Sequence, residues 1–186
     1  MVNLVRQLKV IGACKEAMEW AKGYGSLKEA WEKCERGDWM LWLCGTMEGT
    51  NDWPTRQQIV LAACDCAELV LPIYEKQYPN DDCVRKCIAV TRQWVCGEAS
   101  IDDVLNVRRA AADAAYAAYA AAADAADAAA AAADAAYYAA AAAADAAYYA
   151  AADAAYAAGA KTHMYKECAD ICRKQLIIPD SIKRGA

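Results

Sequence analysis

The sequence predicts an all-α fold: a multi-helix bundle with an alanine-rich helical region folded back into two or more close-packed helices. Three observations carry that expectation. Apolar residues recur at three- and four-residue steps, and no segment alternates with the period of two that a half-buried strand shows. Three stretches read as N-terminal capping boxes: Ser26 with Glu29, Thr55 with Gln58 and Ser100 with Asp103. Finally, 37 of the 51 positions from Ala110 to Ala160 are alanine, the residue with the best intrinsic helix propensity. The 186 residues fit one domain, with a Trp/Cys-rich helical body over 1–100, an Ala/Asp/Tyr helical tract over 101–160 and a C-terminal helix and tail over 161–186.

Each element follows from local pattern. Ile11, Cys14, Ala17, Met18 and Ala21 share one helical face, and Gly23 and Gly25 end that first helix. Ser26 opens a short helix carrying Trp31 and Cys34, which stops before Gly37. Asp38 is then expected to cap the apolar segment WMLWLCG. Thr55 opens a long apolar helix through Ile59, Ala63, Cys66, Val70 and Ile73, kinked at Pro72 because proline lacks a backbone donor. Asp81 or Asp82 caps the next helix, which carries Val84, Cys87, Val90 and Trp94 and stops at Gly97. Ser100 opens the helix that runs into the alanine tract, Gly159 closes that tract, and Thr162 caps a last helix through Met164, Cys168 and Cys172. Five of the six tryptophans fall within the first 53 residues, and Trp20, Trp31, Trp39 and Trp42 at helical spacing read as core rather than ligand platform.

The tract itself has two faces. Uninterrupted from Ile101 to Ala158 it would be roughly 87 Å long, so it is expected to fold back on itself; the competing arrangement is one long helix paired with a copy in another chain. At about 100° per residue, all six Asp fall within an arc of roughly 100° and all seven Tyr lie beside or within it, leaving the other half bare alanine. The bare half suits close helix packing. The Asp/Tyr face serves solubility and, in the sharper reading, recognition, because Tyr is a favoured hot-spot residue and Asp pairs with basic partners.

Composition excludes several classes. The tract carries six of the acidic charges and no basic one, leaving the rest of the chain near neutral, which argues against a nucleic-acid binder. Asp interrupts the alanine every few positions, so no apolar run is expected to span a membrane. The opening residues lack the apolar core and cleavage site of a signal peptide, and a cytoplasmic location is expected. The ten cysteines read as reduced, mostly buried packing groups. Cys83/Cys87 and Cys168/Cys172 are four apart, a spacing that suits neither a disulfide within the helix nor a zinc knuckle. With one histidine, no phosphate loop and no visible acid/base pair, neither a catalytic residue nor a cofactor or metal is expected, and the chain reads as a binding protein rather than an enzyme.

Several segments then fit a known group in order: ACKEAMEWAKGYGSLKEAWEKCERGDWMLWL, RQQIVLAACDCAELVLPIYE, the Trp94 helix ending VCGEAS, the alanine/tyrosine tract and ECADICRKQLIIP. The chain resembles the immunity-five-like family of immunity proteins from bacterial toxin–immunity loci and phage genomes. The resemblance covers nearly the whole chain and departs in its many cysteines and its unusually pure alanine tract. It implies a protein that neutralises a toxin, or antagonises a defence effector, by binding it. The residues expected to carry partner binding are Tyr137, Tyr138, Tyr148, Tyr149, Asp134 and Asp145. An alternative is a sponge for a nucleotide-type immune signal, held by Arg92, Arg108, Arg109, Lys161 and His163, which bracket the tract. A second alternative is a structural module that homo-oligomerises through its alanine face.

Overall fold

A computed structural model describes residues 4–119 and 161–182. Among these residues there are eight helices and no strand: α1 (Leu4–Val10), α2 (Lys15–Ala21), α3 (Leu27–Lys33), α4 (Gly37–Thr46), α5 (Arg56–Gln77), α6 (Cys83–Val95), α7 (Ile101–Tyr119) and α8 (Lys161–Gln175). The all-α expectation holds. Helix α5 lies at the centre and packs against α4, α6 and α8; α7 packs on α6, and α8 also packs on α4.

Local chemistry sets most helix starts. Thr55 Oγ1 accepts from the Gln58 amide while Gln58 Oε1 accepts from the Thr55 amide, a complete capping box. Ser100 and Asp103 form the same reciprocal pair before α7. At α3, Ser26 Oγ accepts from the Glu29 amide, but the Glu29 carboxylate reaches one residue further back, to the Gly25 amide at 2.9 Å. Asp82 is the N-cap of α6 without a side-chain bond, and Asp81 just before it supplies the contact instead: its Oδ1 accepts from the Cys83 amide and its Oδ2 from the Tyr74 hydroxyl, both at 2.9 Å. The Cys83 hydrogen bond is the main reason the Asp81 carboxyl is held below its ordinary pKa.

Four expectations are corrected. The first helix is two, because Gly12 takes φ +85, a left-handed conformation that breaks the run, and Cys14 Sγ then caps α2 by accepting from the Ala17 amide at 3.4 Å. Asp38 does not cap α4; it lies inside the first turn with no exposed surface, ion-paired to Arg36. Thr162 lies within α8 rather than before it. Helix α5 is long and apolar enough to cross a membrane, contrary to the expectation that no segment reaches that length. Its apolar residues Ile59, Val60, Ala63, Val70 and Leu71 are buried among the other helices, while Gln57, Gln58, Glu68 and Lys76 are exposed, so it reads as a core helix with one polar side.

The junction of α4 with α8 is made of small residues. A Cβ added to Gly37 would stand 2.4 Å from the Cys168 Cβ and 2.7 Å from the Ala169 nitrogen, so the backbones are in contact there. Cys172 closes the same seam, its Sγ 3.9 Å from the Gly37 carbonyl oxygen. The first turns of the alanine tract show its two faces. Asp113 is exposed, whereas Val104 and Ala111, on the opposite side of α7, are fully buried.

Candidate functional site

The N-terminal helices meet around a cavity of about 270 Å³. Its floor is formed by Ala21 of α2, Leu27 and Ala30 of α3 and Met40 and Leu43 of α4, all buried. Its walls are rings. Trp39 and Trp42 fall three apart on one face of α4, Trp31 stands on α3 and Trp20 comes from α2. The Trp20 and Trp39 rings meet edge to face with centroids 6.0 Å apart, and Trp20 also rests on Tyr24 at 4.5 Å. The tryptophans therefore divide. Trp31 is core, as its spacing predicts, and Trp53 is buried too, but Trp20, Trp39 and Trp42, expected in the core on the same grounds, are only half-buried and frame an opening. Rings this large on short helices cannot all reach one centre, so space remains between them.

Arg36 anchors one side of this site. Its guanidinium lies over the Trp39 ring at 4.3 Å and the Tyr165 ring of α8 at 4.5 Å. It donates twice to the buried Asp38 carboxylate, at 2.9 and 2.6 Å. Burial works against its charge, but the bidentate Asp38 contact prevails and keeps the guanidinium more basic than usual. Arg36 thus fastens the start of α4, and with it Trp39, to the C-terminal helix. The Arg-Gly-Asp-Trp run was legible in the sequence, but the role of Arg36 was not, because Tyr165 lies far along the chain.

The cysteines are free, and seven of them are buried. Burial pushes the Cys34 thiol, on the cavity wall, up to about 11 and that of Cys87 up to about 12; Cys44 and Cys64 rise further for the same reason. Cys66 is raised first by its hydrogen bond with Cys168 and then by burial. These thiols stay protonated near neutral pH and act as small apolar groups. Among the described residues, no group of three His, Cys, Asp or Glu side chains is placed to hold a metal ion.

The sequence-predicted binding residues Tyr137, Tyr138, Tyr148, Tyr149, Asp134 and Asp145 lie outside the described residues. Of the basic set, Arg92 on α6 is engaged by Asp65 and Glu68 of α5, and Gln175 of α8 donates to the same Asp65, so this cluster ties three helices together. Arg108 is half-buried on α7 and acts on Cys87, Arg109 is exposed, and His163 is exposed beside Glu167 at 3.6 Å. Lys161 begins α8. Arg92 is committed to two carboxylates, which leaves its guanidinium poorly placed to hold a phosphate.

A family model described as Imm-5 like putative immunity protein matches residues 51–178. No curated protein matches the chain, and no solved structure does.

Proposed function

Because the chain belongs to the Imm-5 like immunity protein family, we propose that it neutralises a protein toxin by binding it directly, without catalysis. Family membership over residues 51–178 is the observation that carries this reading. The matched segment includes the Asp/Tyr positions of the alanine tract. Asp134 and Asp145 supply negative charge for a basic partner, while Tyr137, Tyr138, Tyr148 and Tyr149 supply large amphipathic rings of the kind that anchor interfaces.

Sequencing the genes beside its own and co-expressing the chain with any toxin they encode tests the proposal. The protein is expected to restore growth and to co-elute with the toxin. Replacing the four tyrosines by alanine is expected to weaken the complex at least 100-fold, on the order of 3 kcal/mol for a loss of hot-spot residues, with the helical circular-dichroism spectrum unchanged. Rescue without any complex would remove direct binding. A complex of undiminished affinity in the quadruple variant would move the interface off this face.

A further inference from the structure

We infer that the tryptophan-framed cavity is a binding site for a small neutral aromatic molecule of about two fused rings. The residues that line it run from Leu4 to Leu43 and so fall outside the segment matched by the family model. It is equipment of this chain's N-terminal helices, separate from the proposed Asp/Tyr surface.

Size comes first. At about 270 Å³ the cavity is close to twice the roughly 150 Å³ cavity that takes up one benzene ring. A ring seated there gains dispersion contacts with the apolar lining. Charge decides the class next. Among the described residues, no Asp, Glu, Lys, Arg or His lines the cavity, and the Arg36 guanidinium over Trp39 is already held by Asp38, so an ionised ligand would lose its hydration and gain no uncommitted partner. Shape then favours a ring over a chain. Trp20 and Trp39, already edge to face, present ring faces and edges that complement the quadrupole of a further aromatic. Access is open, because Gly12 and Cys14 on the rim are exposed and Ala17, Trp20, Trp39 and Trp42 are half-buried. The rival occupant is an apolar side chain of a protein partner. A recess lined from the N-terminal helices alone, and deep enough to have buried Ala30 and Met40 on its floor, fits a free molecule better than a single side chain.

Calorimetric titration of the full chain with indole and naphthalene tests this, with indole-3-acetate as the charged comparator. Saturation at one site by the neutral rings is expected, with a raised melting temperature and at least tenfold weaker binding of indole-3-acetate. Ala17→Phe fills the space from a half-buried position and Ala30→Leu fills it from the floor. Each is expected to cut affinity for indole at least tenfold. If Ala30→Leu fails to fold, Ala17→Phe decides alone. Trp20→Leu keeps an apolar wall but removes a ring, and is expected to lower affinity for naphthalene more than that for cyclohexanol. Absence of saturable binding by either neutral ring would overturn the inference, as would equal binding of indole-3-acetate or undiminished binding in the filled variants. Binding of apolar peptides with none of the free rings would overturn it in favour of a protein docking recess.

Discussion

Gly37 and Ala17 are both small residues, yet they sit in opposite kinds of packing. At Gly37 the backbones of α4 and α8 touch, and one added carbon would stand 2.4 Å from a neighbouring side chain. At Ala17 the helix faces a cavity of about 270 Å³. The difference lies in what the neighbours are made of. Cys168, Ala169 and Cys172 are small enough to let two helices close on each other, whereas the tryptophans of α3 and α4 hold their helices apart. Bulk in the sequence therefore marks the looser region of this molecule, and smallness marks the tighter one.

The largest test of that contrast is alkaline pH, because many of the buried thiols cluster in and around the α4, α5 and α8 seams. A buried thiol with a raised pKa keeps its proton in the folded state, while the unfolded chain releases it near the ordinary value of 9.0. Above that pH the unfolded form binds fewer protons, so stability is full below about pH 9 and falls as pH rises through 11. Cys34 alone contributes a loss of about 2 kcal/mol by pH 11, and the other buried thiols add to it, so cooperative unfolding between pH 9 and 11 is expected by circular dichroism. A melting temperature unchanged from pH 8 to pH 11 would show that the thiols are not buried in this way.

Gly37→Ala is the next largest. Its methyl meets backbone that cannot step aside, and a loss of about 3 kcal/mol is expected in urea denaturation. The matching change at the looser site, Ala17→Leu, adds more volume yet is expected to stay within about 1 kcal/mol of the parent, on the stabilising side. If the two losses were alike, the cavity would be filled in solution and the comparison would break. The smallest effect is kinetic: Cys14 and Cys96, both exposed, are expected to react with iodoacetamide well before the seven buried cysteines, read by mass spectrometry of digested peptides. Uniform labelling would count against the tight seam.

The sequence made much of this legible, and where it did not the reason is specific. The capping pairs at Thr55 and Ser100 were readable because donor and acceptor lie three residues apart. The stop at Gly97 and the two faces of α7 follow from the same short-range periodicity. Gly12 was misread, since an apolar face continues across it and only its positive φ breaks the helix. Asp38 was misread as a cap because its partner Arg36, two residues earlier, competes for the carboxylate and wins with two charge-assisted hydrogen bonds. Family membership was also legible, but the match spans residues 51–178 rather than nearly the whole chain, and the N-terminal segment ending GDWMLWL lies outside it.

By itself, then, the sequence determined the helical class, the starts of α3, α5, α6 and α7 and the family, because each depends on residues a few positions apart or on the linear order of segments. Only the tertiary structure decided that Gly37 meets Cys168, that Arg36 lies over both Trp39 and Tyr165, and that three half-buried tryptophans frame an open recess. Those facts depend on how closely whole helices approach. That distance is set jointly by side chains far apart in the chain, and no local pattern records it.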